Sequence, residues 1–128
     1  RRQRLLRVTT TIYAGVAICR HSRAIETNGF LFASGQFPLC PETGEVVGTT
    51  ITEQAETSCK NIEAILNANG LTFENVVKTT CFLADMADFT AFNEVYAKYF
   101  VGKPARSCVA VKALPKGVLC EVEIIAVR

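Results

Sequence analysis

Between Thr50 and Gly70 the chain carries a helix with both ends marked in the sequence. Thr50-Ile51-Thr52-Glu53 has the spacing of a capping box, in which a threonine hydroxyl and a glutamate carboxylate satisfy backbone amides that the first turn leaves orphaned. Ile51, Ala55, Cys59, Ile62, Ile65 and Leu66 then recur at helical intervals until Asn69-Gly70, a pair suited to leaving the helix. An amphipathic helix has to lay its apolar stripe on another surface, and the segments around this one read as strands. The chain is therefore constrained to pack helix against sheet.

Upstream, Ala24 to Glu26 and Phe30 to Ala33 flank Asn28-Gly29, a dipeptide that accepts the positive φ angles of a two-residue hairpin turn. Two antiparallel strands are expected there, then a turn at Pro41-Glu42-Thr43-Gly44 and a short third strand over Glu45 to Thr49. Downstream, Val76 to Leu83 reads as a strand. Asp88 is placed to cap a second helix whose Phe89, Phe92, Val95, Tyr96, Tyr99 and Phe100 form a broad apolar face, read as core. Ser107 to Ala113 and Val118 to Val127 are the final strands, separated by Leu114-Pro115-Lys116-Gly117. This order gives an α+β fold, one mixed sheet with both helices on one face, without internal repeats.

A length of 128 residues suits one domain. Apolar residues make up 49%, and counting Gly in place of Tyr to match the usual tally brings the share to about 53%, above the usual range and in keeping with self-association. Apolar runs are strand-length, so no membrane span is expected. Residues 1 to 25 hold six arginines and no acid, whereas the remainder has 8 basic and 12 acidic residues. Residues 1–20 are thus expected as a basic arm, either a frayed terminus or the remnant of an organellar targeting segment. Such an arm can meet phosphate backbones, but the acidic body and the lack of interleaved aromatics leave nucleic acid with only that charge signal.

The six cysteines include no Cys-x-x-Cys pair, which removes the usual zinc-ribbon and redox motifs. Reduced thiols in a cytosolic or mitochondrial-matrix-like compartment fit best. His21 is the only histidine, so a multi-histidine metal site is excluded, and no metal is expected. No Gly-x-Gly-x-x-Gly follows a strand and no phosphate-binding loop is present, so a nucleotide cofactor has no support.

The last segment carries the most information about chemistry. Cys120, Val122, Ile124 and Ala126 share one face of the strand; Leu119, Glu121, Glu123, Ile125 and Val127 share the other. Two carboxylates among aliphatics are odd on a solvated face and expected where another subunit covers it and the carboxylates line a cleft. Glu121, partly buried, is suited to handling a proton or a water; pairing with a basic neighbour is the competing reading. Arg106, opening a strand, offers a rigid fork of donors for a small carboxylate, against the alternative of an exposed strand-end arginine. If Pro115-Lys116 centred a tight hairpin, Ala110 would face Glu121 and Arg106 would lie roughly 13 Å along the strand. Either the two strands are not neighbours or the site is completed between chains.

Ser34-Gly35-Gln36, Pro41-Glu42-Thr43-Gly44-Glu45, Asn75-Val76-Val77-Lys78-Thr79-Thr80, Asn93-Glu94-Val95-Tyr96, Pro104-Ala105-Arg106-Ser107-Cys108 and Leu114-Pro115-Lys116-Gly117 resemble, in that order, the reactive-intermediate deaminase (RidA) family. The resemblance covers residues 21–128 and implies a chorismate-mutase-like fold assembled as a homotrimer with intersubunit clefts. It also implies a cofactor-free hydrolase of the 2-iminobutanoate/2-iminopropanoate deaminase type, converting 2-aminoacrylate and related enamine or imine acids to 2-oxo acids and ammonia. By position, Arg106 would hold the substrate carboxylate and the Cys108 backbone the imine nitrogen. Glu121 would position water and move protons, while Ser34, Gly35 and Asn93 would shape the cleft.

The departure lies upstream, where Cys19-Arg20-His21-Ser22-Arg23-Ala24 keeps only the Ser and Ala of the family's Gly-Pro-Tyr-Ser-Gln-Ala, so that His21 replaces a cleft-lining tyrosine. His21 takes over the proton-donor role near neutrality, or Arg20, His21 and Arg23 close or recharge the mouth of the cleft, or the strand end has drifted and contributes little. Two other functions stand beside the deaminase: a non-catalytic trimer that binds 2-oxo acids, and RNA binding or cleavage, which the resemblance also implies for some members.

Overall fold

A computed structural model of the chain describes residues 7–9, as backbone, and residues 24–128. His21, Arg20, Arg23 and most of the 1–20 arm therefore lie outside the described residues. Strands β1 (Arg7–Thr9), β2 (Ala24–Thr27), β3 (Phe30–Gln36), β4 (Val76–Leu83), β5 (Ala105–Ala110) and β6 (Cys120–Val127) form one mixed sheet. Helices α1 (Ile51–Ala68) and α2 (Phe89–Tyr99) complete the fold. Across the sheet the order is β1-β2-β3-β6-β4-β5. Among the described strands only β4 and β5 pair in parallel, and α2 is the crossover that such a connection requires. The expected α+β architecture is observed. Among the described residues no helix is long and apolar enough to cross a membrane.

Local chemistry sets the elements. Asn28 (φ 53°) and Gly29 (φ 81°) both take the left-handed region, as the hairpin joining β2 to β3 demands. The Thr50 hydroxyl accepts from the Glu53 amide at 3.2 Å, and the Glu53 carboxylate accepts from the Thr50 amide at 3.2 Å, closing the capping box of α1. All six residues expected on its apolar stripe are buried. Fully burying Ile62, Ile65 and Leu66 contributes roughly 1.5–3 kcal/mol each before the entropy of ordering is set against it. Their counterparts on the sheet include Leu31, Cys81, Leu83, Val122 and Ile124, and the α2 face adds Phe92, Val95, Tyr96 and Phe100.

Three expectations need correction. Glu45 to Thr49 is not a strand: only Val46 bridges, to Leu39, after which Gly48 turns at φ 92° and the Thr49 amide is taken by the Glu53 carboxylate. With no second strand alongside, Val46 and Val47 remain exposed. Asp88 does not cap α2 through its side chain. A 3₁₀ turn over Met86–Asp88 precedes the helix, and Asp85 caps that turn by accepting from the Ala87 amide at 2.9 Å. Finally, β5 spans Ala105–Ala110, not Ser107 to Ala113, and it does not pair with β6, because β4 lies between them. The two strands are thus not neighbours, the first of the arrangements that the register argument allowed.

The sheet has one covered and one open face. Along β6, buried Cys120, Val122, Ile124 and Ala126 alternate with half-buried Glu121, Glu123, Ile125 and Val127. On the open face, exposed Phe30 and Phe32 of β3 stand with their ring centroids 6.1 Å apart, and Val109 of β5 is also exposed.

Candidate functional site

Arg106 sits on the edge strand β5, paired with Thr79 of β4. Thr79 is fully buried beneath the helices, and ladder partners share a face, so Arg106 points toward α2. Its guanidinium Nη1 donates to Asn93 Oδ1 at 2.6 Å, and its Cζ lies 4.7 Å from the Tyr96 ring centroid and 5.5 Å from that of Phe89. Phe89, Asn93 and Tyr96 follow at spacings of four and three, one stripe of a helix, which is how one element presents an amide and two rings to one cation. Among the described residues no carboxylate pairs with Arg106. Most of its five N–H donors stay available for an anion.

Cys108 lies two residues on along the same face, beside Cys81. Burial pushes its thiol up, with the Arg106 charge opposing, so the side chain is a protonated thiol at neutral pH. The backbone is the more available group. The Val111 amide donates to the Leu83 carbonyl at 2.9 Å, so the odd-numbered residues of β5 turn toward β4. By the alternation of a strand, the N–H and C=O groups of Arg106, Cys108 and Ala110 project from the free edge of the sheet.

Glu121 belongs to a different place. It pairs with Phe82 of β4 on the open face. Between Ala33 and Gln36, β3 spends three steps where β6 spends two between Ile124 and Val122, a bulge that displaces Ser34-Gly35. The Glu121 carboxylate fills the space so created: a Cβ on Gly35 would stand 1.7 Å from Glu121 Oε2. Gln36 Nε2 donates to the Ser34 carbonyl at 3.0 Å, tying the bulge to itself. Partial burial raises the Glu121 pKa, and the charge of Glu123 raises it further.

The residues singled out from sequence thus fall into two groups: Arg106, Asn93 and Cys108 at the β5 edge, and Glu121, Ser34 and Gly35 at the bulge. Within one chain the groups lie on opposite faces. Thr79 and Phe82, their respective partners, are three residues apart on β4, so offset and strand spacing together put Arg106 and Glu121 about 14 Å from each other. A cavity of about 250 Å³ on the open face, lined by Phe32, Lys78, Thr80, Glu123 and Ile125 among others, contains neither group. In the sequence Tyr96 and Phe89 read only as core. Their spacing from Asn93 was the available signal for contact with Arg106.

Residues 11–128 match the family model described as Endoribonuclease L-PSP. A RutC family protein of Pyrococcus horikoshii is 49% identical over 84% of this chain and 86% of its own. The 2-iminobutanoate/2-iminopropanoate deaminase of Mus musculus is 44% identical over 95% of this chain and 91% of its own. Among solved structures, E. coli TdcF with bound serine superposes with a TM-score of 0.88 at 40% identity, covering 95% of this chain and 98% of that one. The fold, the ordered motifs and these matches agree: the chain belongs to the Endoribonuclease L-PSP family, which is the RidA family and includes deaminases.

Proposed function

We propose that this protein hydrolyses reactive 2-enamine and 2-imine acids, such as 2-aminoacrylate, to 2-oxo acids and ammonia, in clefts between the subunits of a homotrimer. The observation that carries this reading is the placement of Arg106 and Glu121 on opposite faces of one sheet. One is a cation with unused donors; the other is a carboxylate with its pKa raised toward neutrality. A second copy whose open face covers the β5 edge brings its own Glu121 to Arg106. That same packing buries Phe30, Phe32 and Val109.

In such a cleft Arg106 takes the substrate carboxylate through paired hydrogen bonds, and the outward backbone of Cys108 holds the imine nitrogen. Glu121 accepts a proton from water as the water oxygen bonds to the imine carbon, and passes that proton to the nitrogen to give a carbinolamine. Glu121 then takes the carbinolamine hydroxyl proton as the C=O bond forms, and the C–N bond breaks as this second proton passes to the nitrogen, which leaves as ammonia. Ser34 and Gly35 hold Glu121 in place, and Asn93 holds Arg106. His21 is assigned to the same cleft by resemblance alone.

In a coupled assay, a pyridoxal-phosphate dehydratase acting on serine generates 2-aminoacrylate and pyruvate is followed. Wild type is expected to accelerate pyruvate release, and Arg106→Ala to lower kcat/KM about 10- to 100-fold, the worth of hydrogen bonds to a charged group. No acceleration by wild type, or equal acceleration by the variant, refutes the reading.

A further inference from the structure

We infer that Tyr96 and Thr79 are positioning residues for Arg106, together fixing the plane in which its guanidinium meets a carboxylate; this rests on the function proposed above. The Tyr96 hydroxyl and the Thr79 hydroxyl lie 2.8 Å apart, and both side chains are buried. The Tyr96 ring is stacked on Phe100 at 4.4 Å and tilted against Phe92 at 6.0 Å, so it is held by packing as well as by its hydroxyl. The Arg106 guanidinium then lies against that ring at 4.7 Å.

These contacts close a loop. Thr79 is the ladder partner of Arg106, so the residue that aligns the arginine backbone also anchors the ring under its side chain. Asn93, one turn before Tyr96 on α2, fixes Nη1. Strand, side chain, helix and hydroxyl thus return to the same strand, and the guanidinium is oriented before any substrate arrives. Core packing alone would be met by phenylalanine at 96 and valine at 79. Two buried hydroxyls that satisfy each other are needed only if the ring must keep one setting. Burial also raises the Tyr96 pKa, which keeps the hydroxyl protonated through the neutral range.

The test measures inhibition of the coupled reaction by 2-oxobutanoate, a stable 2-oxo acid, together with the thermal midpoint of each variant. Tyr96→Leu, which removes the ring, is expected to raise the inhibition constant about five- to tenfold, the worth of one cation–π contact. Tyr96→Phe and Thr79→Val are each expected to raise it by a smaller factor, and by no more when combined, since both remove the same hydrogen bond. Should Tyr96→Leu fail to fold, the Phe and Val variants carry the same test. Variants that lower the thermal midpoint but bind 2-oxobutanoate like wild type overturn the positioning role. If Arg106→Ala also binds like wild type, the proposed function falls first; if Arg106→Ala loses binding and the Tyr96 and Thr79 variants keep it, only the present inference fails.

Discussion

Gly35→Ala separates the chemistry of Glu121 from the stability of the fold. Gly35 has no positive φ, so alanine is compatible with its backbone, and the three nearest atoms to an added Cβ all belong to the Glu121 side chain, at 1.7, 2.5 and 2.8 Å. Ordinary contact begins near 3.4 Å, so Oε2 has to retreat by at least 1.7 Å. A glutamate reaches that by rotating about its side-chain bonds. The cost to folding is therefore expected within about 1 kcal/mol, partly offset by the stiffer unfolded chain. Catalysis has no such tolerance: a displacement of about 1 Å in a reacting group can cost 10²-fold. The expected result is a fall in kcat of about 10²-fold or more in the dehydratase-coupled assay, with a thermal midpoint close to wild type. A variant that keeps wild-type turnover would refute the assignment of Glu121 to water activation through this bulge. A large loss of stability would instead show that the bulge is closed by more than a mobile carboxylate.

Other outcomes follow from the same geometry. Burial and the Glu123 charge raise the Glu121 pKa, so the folded state holds the proton more tightly and stability falls as pH rises from the unfolded carboxylate value through the folded one. Glu121→Gln is therefore expected to raise the thermal midpoint at pH 7 but not at about pH 3, well below the unfolded carboxylate value of 4.5, where both states are protonated; a gain that is equal at both pH values would contradict this. Glu123→Gln is expected to move the acidic limb of the pH–rate profile downward, and an unmoved limb would remove Glu123 from the site's electrostatics. Cys108→Ala should keep activity within a few-fold, because the thiol is pushed up by burial and the backbone is the group at the free edge. A loss like that of Arg106→Ala would return the thiol to the mechanism.

The parts legible in the sequence were those set by local chemistry. Asn28-Gly29, the Thr50–Glu53 box and the alternation along β6 each specify backbone or facing within a few residues, and the structure follows them. Strand adjacency is not of that kind. β5 chooses β4 because α2 returns the chain parallel to it, and β6 enters between β3 and β4 from far along the chain. The opposite facing of Arg106 and Glu121 follows from that choice and was not visible beforehand. Nor was the bulge at Ser34-Gly35, whose signature is a mismatch of steps between two strands about ninety positions apart in sequence. Tyr96 was read as packing because an aromatic at helical spacing serves a core equally well, and only the position of Arg106 gives it a second contact.

The central claim is that Arg106 of one copy works with Glu121 of another, and subunit mixing tests it most directly. Arg106→Ala and Glu121→Gln, each expected to be nearly inactive alone, would be unfolded together in equal amounts, refolded and assayed for accelerated pyruvate release. If trimers assemble at random and each cleft takes one residue from each of two neighbours, about a quarter of the clefts receive both native side chains. Recovery to about a quarter of wild-type activity is the expected result. A mixture no more active than its separate components would contradict a shared site, since a cleft built within one chain always carries one of the two substitutions.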